Sequence, residues 1–135
     1  METMLDDNEI RELAILYLRR VENPEDFASY EASWDVDEIV RTDCPLAWRL
    51  VCEMFIQAKT KREISCAAAG PLEDILKKYR EELKDDVEHL FGESKRFQYA
   101  LSTIYLQSNP SLEWLEQIAS TARATTFSDA ELGVQ

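Results

Sequence analysis

The chain has 135 residues, 15 Lys and Arg against 27 Asp and Glu, and a formal net charge of −12. That length bounds it to one domain, and the charge disfavours direct contact with nucleic-acid phosphates or anionic lipid, both polyanions. With 3 Gly and 4 Pro there is little material for hairpin turns, so the expectation is an all-α protein.

Helix periodicity starts at once. Ile10, Leu13, Ala14, Tyr17 and Val21 recur at intervals of three and four, which predicts a helix over 7–21. Leu16 and Leu18 widen its apolar stripe, as in a helix covered on two sides. Asn23-Pro24-Glu25-Asp26 restarts the chain with a capping residue, a Pro suited to the first turn and two acids. Two short helices are expected next, over 24–33 and 35–41. Asp43-Cys44-Pro45 opens a long helix to about Ala58, striped by Leu46, Leu50, Val51, Met54 and Phe55. Thr60 and Glu63 match a capping box for a helix over 61–69.

Gly70-Pro71 reads as a sharp break. Beyond it Leu72, Ile75, Leu76, Tyr79, Leu83, Val87 and Leu90 form one stripe, and Glu73–Lys77 and Asp74–Lys78 are spaced for ion pairs. Gly92 ends that helix. Ser94 caps the next, with Phe97, Ala100, Leu101 and Ile104 inward, and Asn109-Pro110 starts a last one with Leu112, Leu115, Ile118, Ala119 and Ala122 inward. Trp48 and Trp114 fall in or beside these stripes, as core or boundary residues. The expected architecture is a compact bundle of seven or eight amphipathic helices over 1–124, with 125–135 a flexible C-terminal tail. A helical-repeat stack is the alternative, but no fixed-period self-similarity supports it.

Charge is distributed unevenly. Residues 1–43 hold 13 acids and 4 bases, residues 44–100 hold 10 of each, and residues 101–135 hold 4 and 1. The stretch from Glu22 to Asp43 has 8 acids and the single base Arg41, with Phe27, Tyr30 and Trp34 threaded through it. The aromatic spacing of three and four places these rings on one helix face. That stripe either docks the helix on the core, with the acids covering its outer side, or forms an anchor ringed by carboxylates. On the second reading the partner-binding residues are Asp26, Phe27, Tyr30, Glu31, Trp34, Asp35, Asp37 and Glu38.

Signs of catalysis are sparse. Cys44, Cys52 and Cys66 are odd in number and lack C-x-x-C spacing, which fits reduced thiols in a cytoplasmic protein. The single histidine, His89, lies in a charge-laced stretch with Asp85, Asp86 and Glu88. No Gly-rich phosphate loop and no Glu-x-x-His metal pattern occurs, so no cofactor or metal is expected. The acidic N-terminus lacks the basic and apolar regions of a signal peptide, and no apolar run reaches the roughly 18 residues of a membrane span.

The segment Ala67-Ala68-Ala69-Gly70-Pro71-Leu72-Glu73-Asp74-Ile75-Leu76 resembles the hallmark of an uncharacterised family of small bacterial helical domains. Trp34, Asp37, Pro45-Leu46-Ala47-Trp48, Arg96-Phe97 and Leu101 are similar to its other marks, so the resemblance spans about residues 30–106. Lys78-Tyr79-Arg80 departs from it, standing where that pattern has His-His-Gly or similar. The resemblance implies a helical fold and no particular activity.

The function expected from these features is non-enzymatic. It is an acidic protein that binds and neutralises a basic protein, of the inhibitor or immunity type, with a toxin or nuclease as the natural target because such active sites must hold phosphates. One alternative is a nucleic-acid mimic directed at a defence nuclease, which the charge-balanced middle of the chain disfavours. The other is an assembly or adaptor subunit, including a homodimer built on the wide stripe of the first helix.

Overall fold

The computed structural model describes residues 5–104 and 112–135 and is all-α. In chain order the helices are α1 (Asp7–Glu22), α2 (Phe27–Thr42), α3 (Cys44–Gln57), α4 (Lys61–Ala67), a π-helical segment (Ala68–Leu72), α5 (Glu73–Glu93), α6 (Lys95–Ser102), α7 (Glu113–Arg123) and α8 (Asp129–Leu132). They close around one contiguous core. Leu50, Val51, Met54, Ile64, Leu72, Ile75, Leu76, Val87, Phe97, Leu101, Ile104 and Leu115 are its most deeply buried large side chains among the described residues. α1 packs against α2, α3 and α4, and α6 against α4, α5, α7 and α8, so the elements share a core instead of stacking pair by pair.

Caps set most helix starts. Asp6 and Glu9 form a reciprocal capping box on α1, Asp43 accepts the Leu46 N–H at 3.1 Å, Thr60 accepts that of Glu63, and Ser94 that of Phe97. The stripes expected on α3 and α6 are buried as expected. The start proposed at Asn109-Pro110 lies outside the described residues.

Four local expectations are corrected. First, the two short helices over 24–33 and 35–41 are one helix, α2. Asn23 to Asp26 is a turn closed by the Asp26 N–H on the Asn23 carbonyl, and the cap is Asp26. The helix passes through Ser33 because the Ser33 hydroxyl donates to the Tyr30 carbonyl at 2.6 Å, inside the helix, and so offers no competing cap.

Second, Gly70-Pro71 does not break the chain. The π-helical turn carries α4 into α5, with the Glu73 N–H reaching back to the Ala68 carbonyl. Proline lacks an N–H and its ring presses on the carbonyl four residues earlier, and a wider turn relieves both problems. Third, α5 is kinked at Tyr79 (φ −121°, ψ 27°) and continues through Gly92 to Glu93. At the kink, Tyr79 Oη donates to the Val40 carbonyl at 3.0 Å and Lys78 Nζ to the Arg41 carbonyl, which satisfies two orphan carbonyls at the end of α2. Lys78 is thereby drawn away from the expected pair with Asp74, whereas Glu73–Lys77 forms at 3.6 Å.

Fourth, residues 125–135 are docked. Ser128 caps α8, and Phe127 and Leu132 are buried. The chain ends with the Gln135 N–H on the Lys59 carbonyl.

Candidate partner-binding surface

α2 is amphipathic in an unusual sense. Its inner face is Ser29, Ala32, Val36, Ile39 and Val40, all buried. Its outer face carries the aromatic stripe, with Phe27 70 %, Tyr30 45 % and Trp34 64 % exposed. The reading in which these rings dock the helix on the core is therefore overturned. Small Ser29 and Ala32 and branched Val36, Ile39 and Val40 make that contact, leaving the large rings outside. Tyr30 and Trp34 lie against each other, centroids 5.2 Å apart and planes tilted by 57°, and the Arg20 guanidinium sits 5.9 Å from the Tyr30 centroid.

The eight residues singled out from sequence do not form one patch. Asp26 is committed to the fold, accepting the Ser29 N–H and hydroxyl, and it lies 3.9 Å from Arg19. Asp37 and Glu38 share Arg41 at 3.2 and 2.8 Å, exposed pairs that contribute little. Glu31 and Asp35 are exposed and have no polar partner among the described residues. The helical turn also splits the set, with Asp35 and Glu38 on one flank of α2 and Trp34 and Asp37 on the other.

Each flank borders a cleft. The larger, of about 690 Å³, runs between α1, α2 and the start of α3. Leu5, Leu13, Leu16, Ile39 and Leu46 supply its apolar lining; Glu9, Glu12, Asp35, Glu38 and Asp43 supply five carboxylates, and no basic side chain among the described residues lines it. Glu9 and Asp43 also cap helices, whereas Glu12 has no polar partner among the described residues. Sequence reading missed Glu9, Glu12, Leu13, Leu16, Asp43 and Leu46 as members of this surface. The available signal was the extra width of the α1 stripe beside Glu9 and Glu12, which marks a third side of α1 that no helix among the described residues covers.

The smaller cleft, of about 300 Å³, is lined by Tyr17, Arg20, Trp34, Asp37, Gly70 and Pro71 among others. Gly70 packs closely here: a Cβ on it would stand 3.0 Å from the Tyr17 hydroxyl, which would have to give way by a few tenths of an ångström. Burial pushes the Tyr17 phenol up from its ordinary value against the opposing influence of Arg20.

The nucleophilic groups lie elsewhere. Burial, reinforced by Asp86 and Glu53, pushes the Cys52 thiol up to about 12. Burial, with Glu82, Asp86 and Asp43 nearby, also raises Cys44. Both thiols are therefore protonated near neutrality, the form that does not attack. His89 is exposed and faces Glu93 on the same helix at 3.3 Å. Among the described residues no group of three or more His, Cys, Asp or Glu is placed to hold a metal ion, and no helix is long and apolar enough to cross a membrane.

No curated protein and no solved structure matches the chain. A family model does, over residues 22–125, which span α2 to α7 and so include α2 with its acidic and aromatic outer face. The chain belongs to that family, the family of unknown function DUF6869.

Proposed function

We propose that this protein binds a basic protein and neutralises it, in the manner of an inhibitor or immunity protein, and that it does so without catalysis. The observation that carries this reading is the larger cleft, where five carboxylates, of which Glu38 alone is paired with a base (Arg41), surround an apolar lining that includes no basic side chain among the described residues. Carboxylates so concentrated raise the local density of a basic partner, speed its approach and reject acidic competitors. The apolar lining then offers area to bury, which supplies affinity that salt does not screen. The exposed Tyr30–Trp34 pair on the adjoining face of α2 adds aromatic anchors of the kind that dominate interface energies. A nuclease is the favoured class of target, because a site that holds phosphates must be basic.

The test is capture from host lysate on the immobilised chain at low and high salt, with a Glu12→Lys/Asp35→Lys variant alongside. Neither residue has a polar partner among the described residues, so reversing them leaves the caps and ion pairs described above intact. The expected result is one basic protein held by the native chain, lost from the variant, and inhibited when purified and mixed with the native chain. Retention unchanged by the double reversal overturns the reading.

A further inference from the structure

The chemistry of the larger cleft also specifies the shape of what enters it, an inference that rests on the binding role proposed above. We propose that the cleft receives an amphipathic helix of the partner, carrying an apolar stripe of about two turns flanked on both sides by Lys or Arg.

The first argument is backbone hydrogen bonding. Both long walls of the cleft are helices, α1 from Glu9 to Leu16 and α2 from Asp35 to Thr42. Helix interiors spend their N–H and C=O groups internally, so these walls offer an entering chain almost no backbone partners. An extended segment would bury its own backbone groups unpaired, whereas a helix brings its hydrogen bonds with it.

The second argument is dimension. Each wall runs for about 10 Å, or two helical turns, which matches a stripe at positions i, i+3 or i+4, and i+7. The half-exposed Leu13 and Leu16 of α1 face this space with Ile39 of α2 and Leu46 of α3. A helix laid there would cover the side of α1 that the bundle leaves open.

The third argument is charge complementarity on both rims. Glu9 and Glu12 stand on the α1 wall, Asp35 and Glu38 on the α2 wall, and Asp43 at the α3 end. Glu12 and Asp35, on opposite walls, have no partner among the described residues. A helix with cations on one flank alone would leave one wall uncompensated, and an acidic helix would be repelled by both.

The test uses the full chain, isotopically labelled for NMR, and a synthetic peptide of about four turns with Leu at the stripe positions and Lys elsewhere. A scrambled peptide of equal composition and charge, and spermine, are the controls. The expected result is saturable shifts at Leu13, Leu16, Ile39 and Leu46, with helix gained by the peptide and affinity at least tenfold above the scrambled form. Glu12→Lys/Asp35→Lys should cost tenfold or more, and Ile56→Ala, at an exposed position near the end of α3 and outside the cleft, should leave the affinity unchanged.

Equal binding of the scrambled peptide or of spermine, with shifts confined to the acids, would make the cleft a charge-only surface and overturn this proposal. Concentration-dependent self-association of the free chain that shifts the same four residues would overturn it in favour of a second copy as the occupant. In either case the capture experiment above decides separately whether a basic protein is bound, so loss of the helix proposal does not by itself remove the binding role.

Discussion

Asp26 Oδ2 accepts both the backbone N–H and the hydroxyl of Ser29, at 3.3 and 2.6 Å, and Ser29 is fully buried beneath it. One carboxylate of the acidic stretch therefore serves the fold, while its neighbours Glu31 and Asp35 face solvent with no polar partner among the described residues. This division gives the first prediction. Asp26→Ala removes the α2 cap and leaves a buried hydroxyl without its acceptor, at a cost of about 1–3 kcal/mol. Asp35→Ala should stay within about 0.5 kcal/mol of the native chain. Urea unfolding midpoints at constant slope would check both, and equal losses would contradict the division of roles.

Trp34 should dominate the solvent-accessible tryptophan emission, because Trp48 lies edge-on to Phe97 at 5.8 Å and Trp114 is half-buried. Trp34→Phe is expected to shift the emission to shorter wavelength and remove most quenching by small solutes. Before that change, caesium should quench more strongly than iodide, since the acids around Trp34 attract cations and repel anions. Equal quenching by both ions would place the acids too far from the ring to matter.

Arg96 holds the C-terminal segment. Its guanidinium donates to the carbonyls of Phe55, Ile56 and Ala58 at the C-terminal end of α3 and to those of Leu132 and Gly133. Gly133 adopts φ 66°, the left-handed conformation that ends α8. Arg96→Lys keeps the charge but not the fork, and should lower stability by about 2–4 kcal/mol. Hydrogen exchange should quicken first at Gly133, Val134 and Gln135. Unchanged protection there would show that Phe127 and Leu132 alone hold the segment.

Alkaline pH should destabilise the fold. Cys52 is raised to about 12 and Tyr17 above its ordinary value, in both cases chiefly by burial. The folded state holds these protons at pH values where the unfolded chain has released them. The associated stability is complete below about pH 9, the ordinary thiol value, and declines as pH rises toward 12. Thermal midpoints should be flat from pH 7 to 9 and then fall. Cys52→Ala should make the start of that decline shallower, leaving the contributions of Cys44 and, at higher pH, Tyr17. In the folded state at pH 8, alkylation should mark the exposed Cys66 and spare Cys52.

Below neutrality a different group responds. The side-chain hydrogen bond from Arg123 to Glu116, at 2.8 Å, lowers the Glu116 carboxyl below its ordinary value. Its contribution is present above about pH 4.5 and is lost as pH falls through the lower folded value. Carboxyl titration by NMR would check this, and a Glu116 midpoint at or above the ordinary value would contradict it.

The all-helical class and the inward residues of α3 and α6 were legible in sequence, because amphipathic spacing and capping residues are local properties. The residues that carried the sequence resemblance also have physical reasons in the fold. Phe97 and Leu101 are core, Arg96 is the tie to the C-terminal segment, and Gly70-Pro71 forms the wide turn against Tyr17. What misled was punctuation read without context. Gly70-Pro71 looked like a stop, yet buried neighbours keep the helix running through a π turn. Residues 125–135 looked frayed, yet distant acceptors and the Arg96 fork hold them.

By itself the sequence determined that the chain is helical, which faces are apolar, and that acid and aromatic residues concentrate between Glu22 and Asp43. Only the tertiary structure decided which of those residues are free to meet a partner. Charge and hydrophobicity belong to single residues, but exposure depends on which helix face the neighbouring elements cover. The core took the small and branched residues of α2 and turned its rings outward. It also left one side of α1 uncovered, and there Glu9 and Glu12 came to face Asp35 and Glu38 across an apolar cleft.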